Sequence, residues 1–222
     1  MNNHFAPEAV SETYLDNLSH VHHIYEMARF RHIQRSWLSK MGLPPAMVAN
    51  DAEHTFSGAT LAVLLGKLEG LPNEDIFYLT FLFLYHDVGE DRTGDDDPNS
   101  KDYVVVDERR AMHDMFINTP LYKMVMDAYD EYKERKTLRS RIAKAADIID
   151  SVRELLELKA KGVPYIDRIP DRIRDKRQCL VDMELPACTK FFDQLLAAGH
   201  EVIWDHFLKH ANSTFTTGKY GK

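Results

Sequence analysis

Cysteine is almost missing from this chain, with two in 222 residues, Cys179 and Cys188, and no CxxC spacing. That argues against a disulfide scaffold and a zinc knuckle. An excess of basic residues is missing too. The formal charge of −7 argues against a generic nucleic-acid binder, whose surface must neutralise phosphates. A local cationic pocket for a small phosphate ester remains compatible with it. The apolar run at Ile76–Tyr85 is too short to span a bilayer, so no membrane partner is expected. Met1 to Asn17 carries no basic segment followed by an apolar core, so no secretory signal is read there. Strand-period alternation is lacking, as are repeats and low-complexity tracts. Together these absences predict a cytoplasmic, all-α chain. Its 44% hydrophobic and 28% charged residues suit a globular protein with a sizeable core.

What is present gathers around one stretch. The apolar run from Phe77 to Tyr85 ends abruptly in His86, Asp87, Glu90 and Asp91. A run this apolar is normally a buried helix, and a buried carboxylate must be paired, hydrogen-bonded or metal-bound. Glu90 lies four residues after His86 and three after Asp87, which would put all three on one helical face. By itself this is either a helix end with solvated charges or a nitrogen–oxygen donor set for a divalent cation. A second amphipathic helix runs from Asn50 to about Glu69, with Gly58, Leu61, Leu65 and Leu68 on its apolar face. That spacing extends back to His54, in isolation more simply a satisfied core histidine. A third helix sets Asp147 among Ala143, Ala146 and Ile148. Three helices with one inward ligand-type residue each favour a metal site over three coincidences.

The order His54, His86-Asp87, Asp147 resembles the H…HD…D signature of the HD-domain metal-dependent phosphohydrolases. Ala52-Glu53-His54-Thr55, Leu84-Tyr85-His86-Asp87, Glu90, Thr93-Gly94-Asp95 and Lys144-Ala145-Ala146-Asp147 look like the subfamily of bacterial 5′-deoxynucleotidases and their eukaryotic relatives. The similarity runs from about Arg29 to Leu158. It implies an HD-type helical bundle with added N- and C-terminal helices. A single domain over 1–222 is expected, with its core at about 29–160, an arm and helix at 1–28 and a helical extension at 161–222. It further implies one divalent ion (Mn, Co, Fe, Ni, Zn or Mg) held by His54, His86, Asp87 and Asp147. Glu90 would position or deprotonate water, and Lys144 with Arg35 would balance phosphoryl charge. The family's Arg-Trp pair, arginine on phosphate and tryptophan beside sugar, corresponds to Arg35 and Trp37, here separated by Ser36. Asp95 would meet the substrate sugar or Arg35, and Glu131 resembles the acid of a WEEY-like stretch.

The implied reaction releases phosphate from a nucleoside 5′-monophosphate, most simply a deoxyribonucleotide. Two alternatives stay open. His86 to Asp91 also spells the HDxxED word of the (p)ppGpp hydrolases, which release pyrophosphate, and a nucleoside triphosphohydrolase is related. The other is a nucleotide-sensing module with little turnover, against which Glu90 speaks. A homodimer is expected by resemblance, with Tyr25, Trp204 and Phe207 as candidate contacts, although ordinary core burial explains these aromatics equally well.

Along the chain, an arm to about Glu12 precedes a helical pattern from Thr13 to Leu38 that includes Leu15, Leu18 and the cluster His20, His22, His23 and His32. Neighbours His22 and His23 point apart, so that cluster reads as solvated or partner-facing. Asp51 and Asn73 are candidate caps, and the central helix should end near Gly89. Further helices are expected at Asp107–Ile117, Leu121–Arg135 and Thr137–Lys159. Glu108 would be a buried acid behind the site, while His113 faces elsewhere. A charged connector to about Lys176 then leads to a helix after Pro186 carrying Phe191, Phe192, Leu195, Val202, Ile203 and Phe207. A tail follows His210.

Overall fold

A computed structural model of the chain describes residues 19–39, 42–97, 99–163, 166–202 and 208–209. The expected arm to Glu12, Leu15, Leu18, Ile203, Trp204, Phe207 and the tail after His210 lie outside these. The described residues are helical, with no strand among them: α1 Ser19–Arg29, α2 Ser36–Ser39, α3 Asp51–Leu68, α4 Asn73–Tyr85, α5 Glu90–Thr93, α6 Glu108–Phe116, α7 Tyr122–Glu134, α8 Leu138–Ala160, α9 Pro170–Asp182 and α10 Pro186–Ala198. Among them no helix is long and apolar enough to cross a membrane.

The centre is α4, gripped by α3, α7 and α8. The buried side of α3 is built from small residues, Gly58, Ala59, Ala62 and Gly66, with Leu65. A Cβ on Gly58 would stand 2.1 Å from the Phe83 ring, so glycine is what lets α3 and α4 approach there. The expected apolar face is therefore turned slightly, and Leu68 ends half exposed. On α8, Ile142, Ala145, Ile149, Val152 and Leu156 are buried in the cluster that joins α3, α4, α8, α9 and α10, with Leu138 partly buried against it.

Several expected boundaries move. Asn50, not Asp51, caps α3, through a capping box with Glu53. Asn73 is the first residue of α4 rather than its cap; Pro72 takes the cap position and has no side-chain oxygen to offer. α4 stops at Tyr85, so His86 caps it and Glu90 opens α5 after a turn. The helix expected to continue to Leu38 ends at Arg29. Beyond a 3-10 turn at Phe30–His32, the chain runs out to pair with the start of α3: Asp51 N donates to Ile33 O at 3.0 Å, and Gln34 bridges Asn50. That pairing sets Arg35 beside the first turn of α3. Finally, the supposed connector to Lys176 contains α9, started by Pro170 at a position where its missing N–H costs nothing.

Candidate metal centre

Three side chains from distant points in the sequence converge. His54 comes from the first turn of α3, His86 from the end of α4 and Asp147 from the middle of α8. One ligand atom from each lies within 4.8 Å of the others. The histidines are 1% and 0% exposed, with ring centroids 5.7 Å apart. A carboxylate or carbonyl can only accept, so each Nδ1 must carry a hydrogen. His54 Nδ1 donates to Asp150 Oδ2 at 2.7 Å, and His86 Nδ1 donates to Phe83 O at 2.7 Å. When the rings are neutral, these bonds leave each Nε2 with its lone pair toward the centre. Neither buried Nε2 has a well-directed hydrogen bond. Asp147 Oδ1 stands 3.4 Å from one, and Asp87 Oδ2 stands 2.8 Å from the other. Two orphaned imidazole nitrogens facing carboxylates fit a divalent cation, so His54, His86 and Asp147, with Asp87 beside them, could hold one.

The charges are tuned around that point. Burial opposes ionisation of Asp147, but Lys144, 2.5 Å away, and then His54 and His86 outweigh it and hold the carboxyl well below the usual range. Tyr132 adds a donated hydrogen bond at 3.4 Å. Asp87 is likewise depressed, burial being overcome by His86. For His54, burial and Arg35 disfavour the charge, yet Asp147 and Asp150 lift its pKa to about 9. Asp150 is held at about 2, burial being outweighed by His54 and Arg153. The metal-free cluster thus stores a proton on His54 that a cation must displace. Glu90, 8% exposed, goes the other way. Burial, then repulsion from Asp87, Asp95, Asp51 and Glu108, push it up to about 11.

Other predicted residues divide. Arg35 is buried at the site: its Nη2 donates to Ser151 Oγ at 3.3 Å, its Nε is unpartnered, and Asp147 leads its acidic neighbours. Asp95 accepts from Ser36 N at 2.8 Å and so pins the loop that carries Arg35. Lys144 sits on Asp147. Trp37 and Glu131 are not brought to the group. Trp37 packs on the cluster of Leu38, Val48, Leu155 and Leu158. Glu131 accepts from Thr137 Oγ1 at 2.5 Å and from Arg139, which also holds Asp75 at the start of α4. It is Tyr132, next on α7, that reaches the centre, edge-on to His86 at 5.0 Å. Glu108 is a quarter exposed and accepts from Tyr129 and Lys133. His113 is half exposed and pairs with Asp114. In the amino-terminal cluster His22 is exposed but His23 is buried, its ring 4.6 Å from Phe116, which corrects the solvated reading for that residue. Tyr25 is exposed rather than buried in the core.

Two residues escaped the sequence reading. Asp51 is 1% exposed with both carboxylate oxygens unpartnered, and burial, against the pull of Arg35, lifts it to about 7. Asp150 accepts from His54, from Ser57 Oγ at 2.6 Å and from Arg153 Nε at 2.7 Å, which fixes the His54 ring. Asp150→Ala should therefore weaken metal binding roughly 10- to 100-fold, the usual effect of losing such a partner. A chelator-competition titration reads this directly, and unchanged affinity would remove Asp150 from the centre.

Residues 27–167 match the HD domain family. No curated protein matches the chain. Among solved structures, the chain is similar to a conserved hypothetical protein from Pyrococcus furiosus, at 19% identity and a TM-score of 0.66, covering 79% of this chain and 99% of that one. It is also similar to a predicted metal-dependent phosphohydrolase from Magnetospirillum magnetotacticum MS-1, at 23% identity and a TM-score of 0.59, covering 81% and 90%. At such identities the likeness speaks for the fold.

Proposed function

We propose that this chain, which belongs to the HD domain family, is a metal-dependent phosphohydrolase that releases phosphate from (deoxy)nucleoside 5′-monophosphates. The observation that carries this reading is the pair of buried, unsatisfied Nε2 atoms of His54 and His86 facing Asp147. A divalent ion there would supply Lewis-acid charge to a phosphoryl oxygen and lower the pKa of a water, from ~15.7 to about 7 for catalytic zinc.

The chain supplies the rest. Arg35, buried and with an unused Nε, offers a planar fork to phosphoryl oxygens. Lys144 adds a compact cation on the Asp147 side. Glu90 is the base: one of its carboxylate oxygens takes the proton of the attacking water. Neutralising the negative charge of Asp87, the largest electrostatic cause of its raised pKa after burial, favours that role. Base strength and cation occupancy are thereby linked through Asp87.

The test is a screen of mono-, di- and triphosphates with Mn²⁺, Co²⁺ and Mg²⁺, read by product. Orthophosphate from deoxynucleoside monophosphates is the expected result. Pyrophosphate as product would move the reading to the HDxxED class, and tight nucleotide binding without product would make the chain a sensor.

A further inference from the structure

The HD match ends at residue 167, yet α9 begins at Pro170 and packs on α8. Two residues anchor its inner face: Ile173, packed on the core, and Leu180, fully buried in it. Lys176 stands three residues after the first and four before the second, so it shares that inward face. It is partly buried, and no hydrogen bond or salt bridge holds its ammonium among the described residues. The charges that act on it most are Asp147, Lys144 and Arg35, all members of the centre described above.

A lysine turned inward without a partner is unusual, because burial works against its charge and two of its three charged neighbours repel it. The one acid among them, Asp147, is already engaged by Lys144 at 2.5 Å. Three cations from three parts of the chain, the loop before α2, α8 and α9, thus approach Asp147. Arg35 also has Glu154, Asp95 and Asp51 beside it, whereas the acid that acts most on Lys176 is the Asp147 already held by Lys144. A phosphoryl group would give the Lys176 ammonium the partner it lacks.

We infer that Lys176 is a phosphate-binding residue of this centre, and that the substrate pocket is completed by a helix outside the HD domain. The ligand class is a phosphoryl dianion, presented by an ester or as free phosphate. This rests on the phosphohydrolase reading for its substrate but not for its ligand. The competing account is a lysine whose stem covers apolar surface while its head reaches water.

Calorimetry of inorganic phosphate binding to the Mn²⁺-loaded full chain separates the two. Lys176→Gln should weaken phosphate about tenfold, the usual loss for one charge-assisted contact, with Mn²⁺ affinity unchanged. Lys176→Arg should recover most of that loss. With an ester that is hydrolysed, the Gln variant should raise KM with kcat little changed. Equal phosphate affinity in wild type and Gln variant, a parallel fall in Mn²⁺ affinity, or no phosphate binding by the wild type would each overturn the inference. Phosphate binding that depends on Lys176 in a chain that turns over no ester would sustain it and defeat the proposed function instead.

Discussion

His86→Ala is expected to bind no Mn²⁺ and to release no phosphate from any ester the wild type cleaves. The expected loss exceeds the roughly 10- to 100-fold that follows removal of a mere supporting partner, because a donor atom itself disappears. His86 is 0% exposed, and its Nε2 is one of the two orphaned nitrogens on which the centre depends. Its ring also fills space, 4.4 Å from Phe83 and 5.0 Å from Tyr132 between centroids. Truncation therefore leaves a cavity, and a loss of stability could imitate a loss of function. His86→Gln, which keeps much of the volume, and the melting temperature of the metal-free variants remove that ambiguity. Metal content by elemental analysis together with full activity in either folded variant would dissolve the proposed centre.

How much of this could be read beforehand depended on whether a residue contrasts with its neighbours. His54, His86 and Asp147 stood out because each interrupts an apolar helical face, and burial turns that contrast into a requirement for a partner. Asp150 offered no such signal. It ends the word Asp147-Ile148-Ile149-Asp150, where an outward polar residue fits equally well, and its partner His54 lies 96 residues away. Asp51 was hidden by plausibility: aspartate makes a good cap, but Asn50 beside it took that task and left Asp51 facing Arg35. On α7 a single step in register separates Glu131, which serves Arg139, from Tyr132, which meets the centre. The charged surface of α9 concealed its two apolar anchors, Ile173 and Leu180, and with them Lys176. Local pattern thus marked the candidate ligands. The partners that orient and charge them are set by long-range packing, which leaves little trace in local sequence.

Glu90→Gln should cost most of the activity and yet stabilise the metal-free chain at alkaline pH. The first half follows from its role: loss of a positioned base typically costs on the order of 10²- to 10⁴-fold. The second follows from its surroundings. Burial and four nearby carboxyls push Glu90 from its ordinary 4.5 to about 11, so the folded chain keeps a proton that the unfolded chain gives up. Across that interval the native state binds more protons than the unfolded one, and stability must fall as pH rises. Asp51, lifted from 3.8 to about 7, adds the same slope at the acidic end. Glutamine carries no such penalty, so wild type and Gln variant should have similar stability near pH 5 and separate progressively toward pH 8. The gap should be on the order of 1–3 kcal/mol, or a few degrees in Tm for a chain of this size. Mn²⁺ should narrow the gap, since a cation beside Asp87 removes part of the repulsion that raises Glu90. If the two chains melt alike at pH 8 without metal, Glu90 is not the strained carboxyl its surroundings indicate. If the Gln variant keeps full turnover, another group must accept the proton.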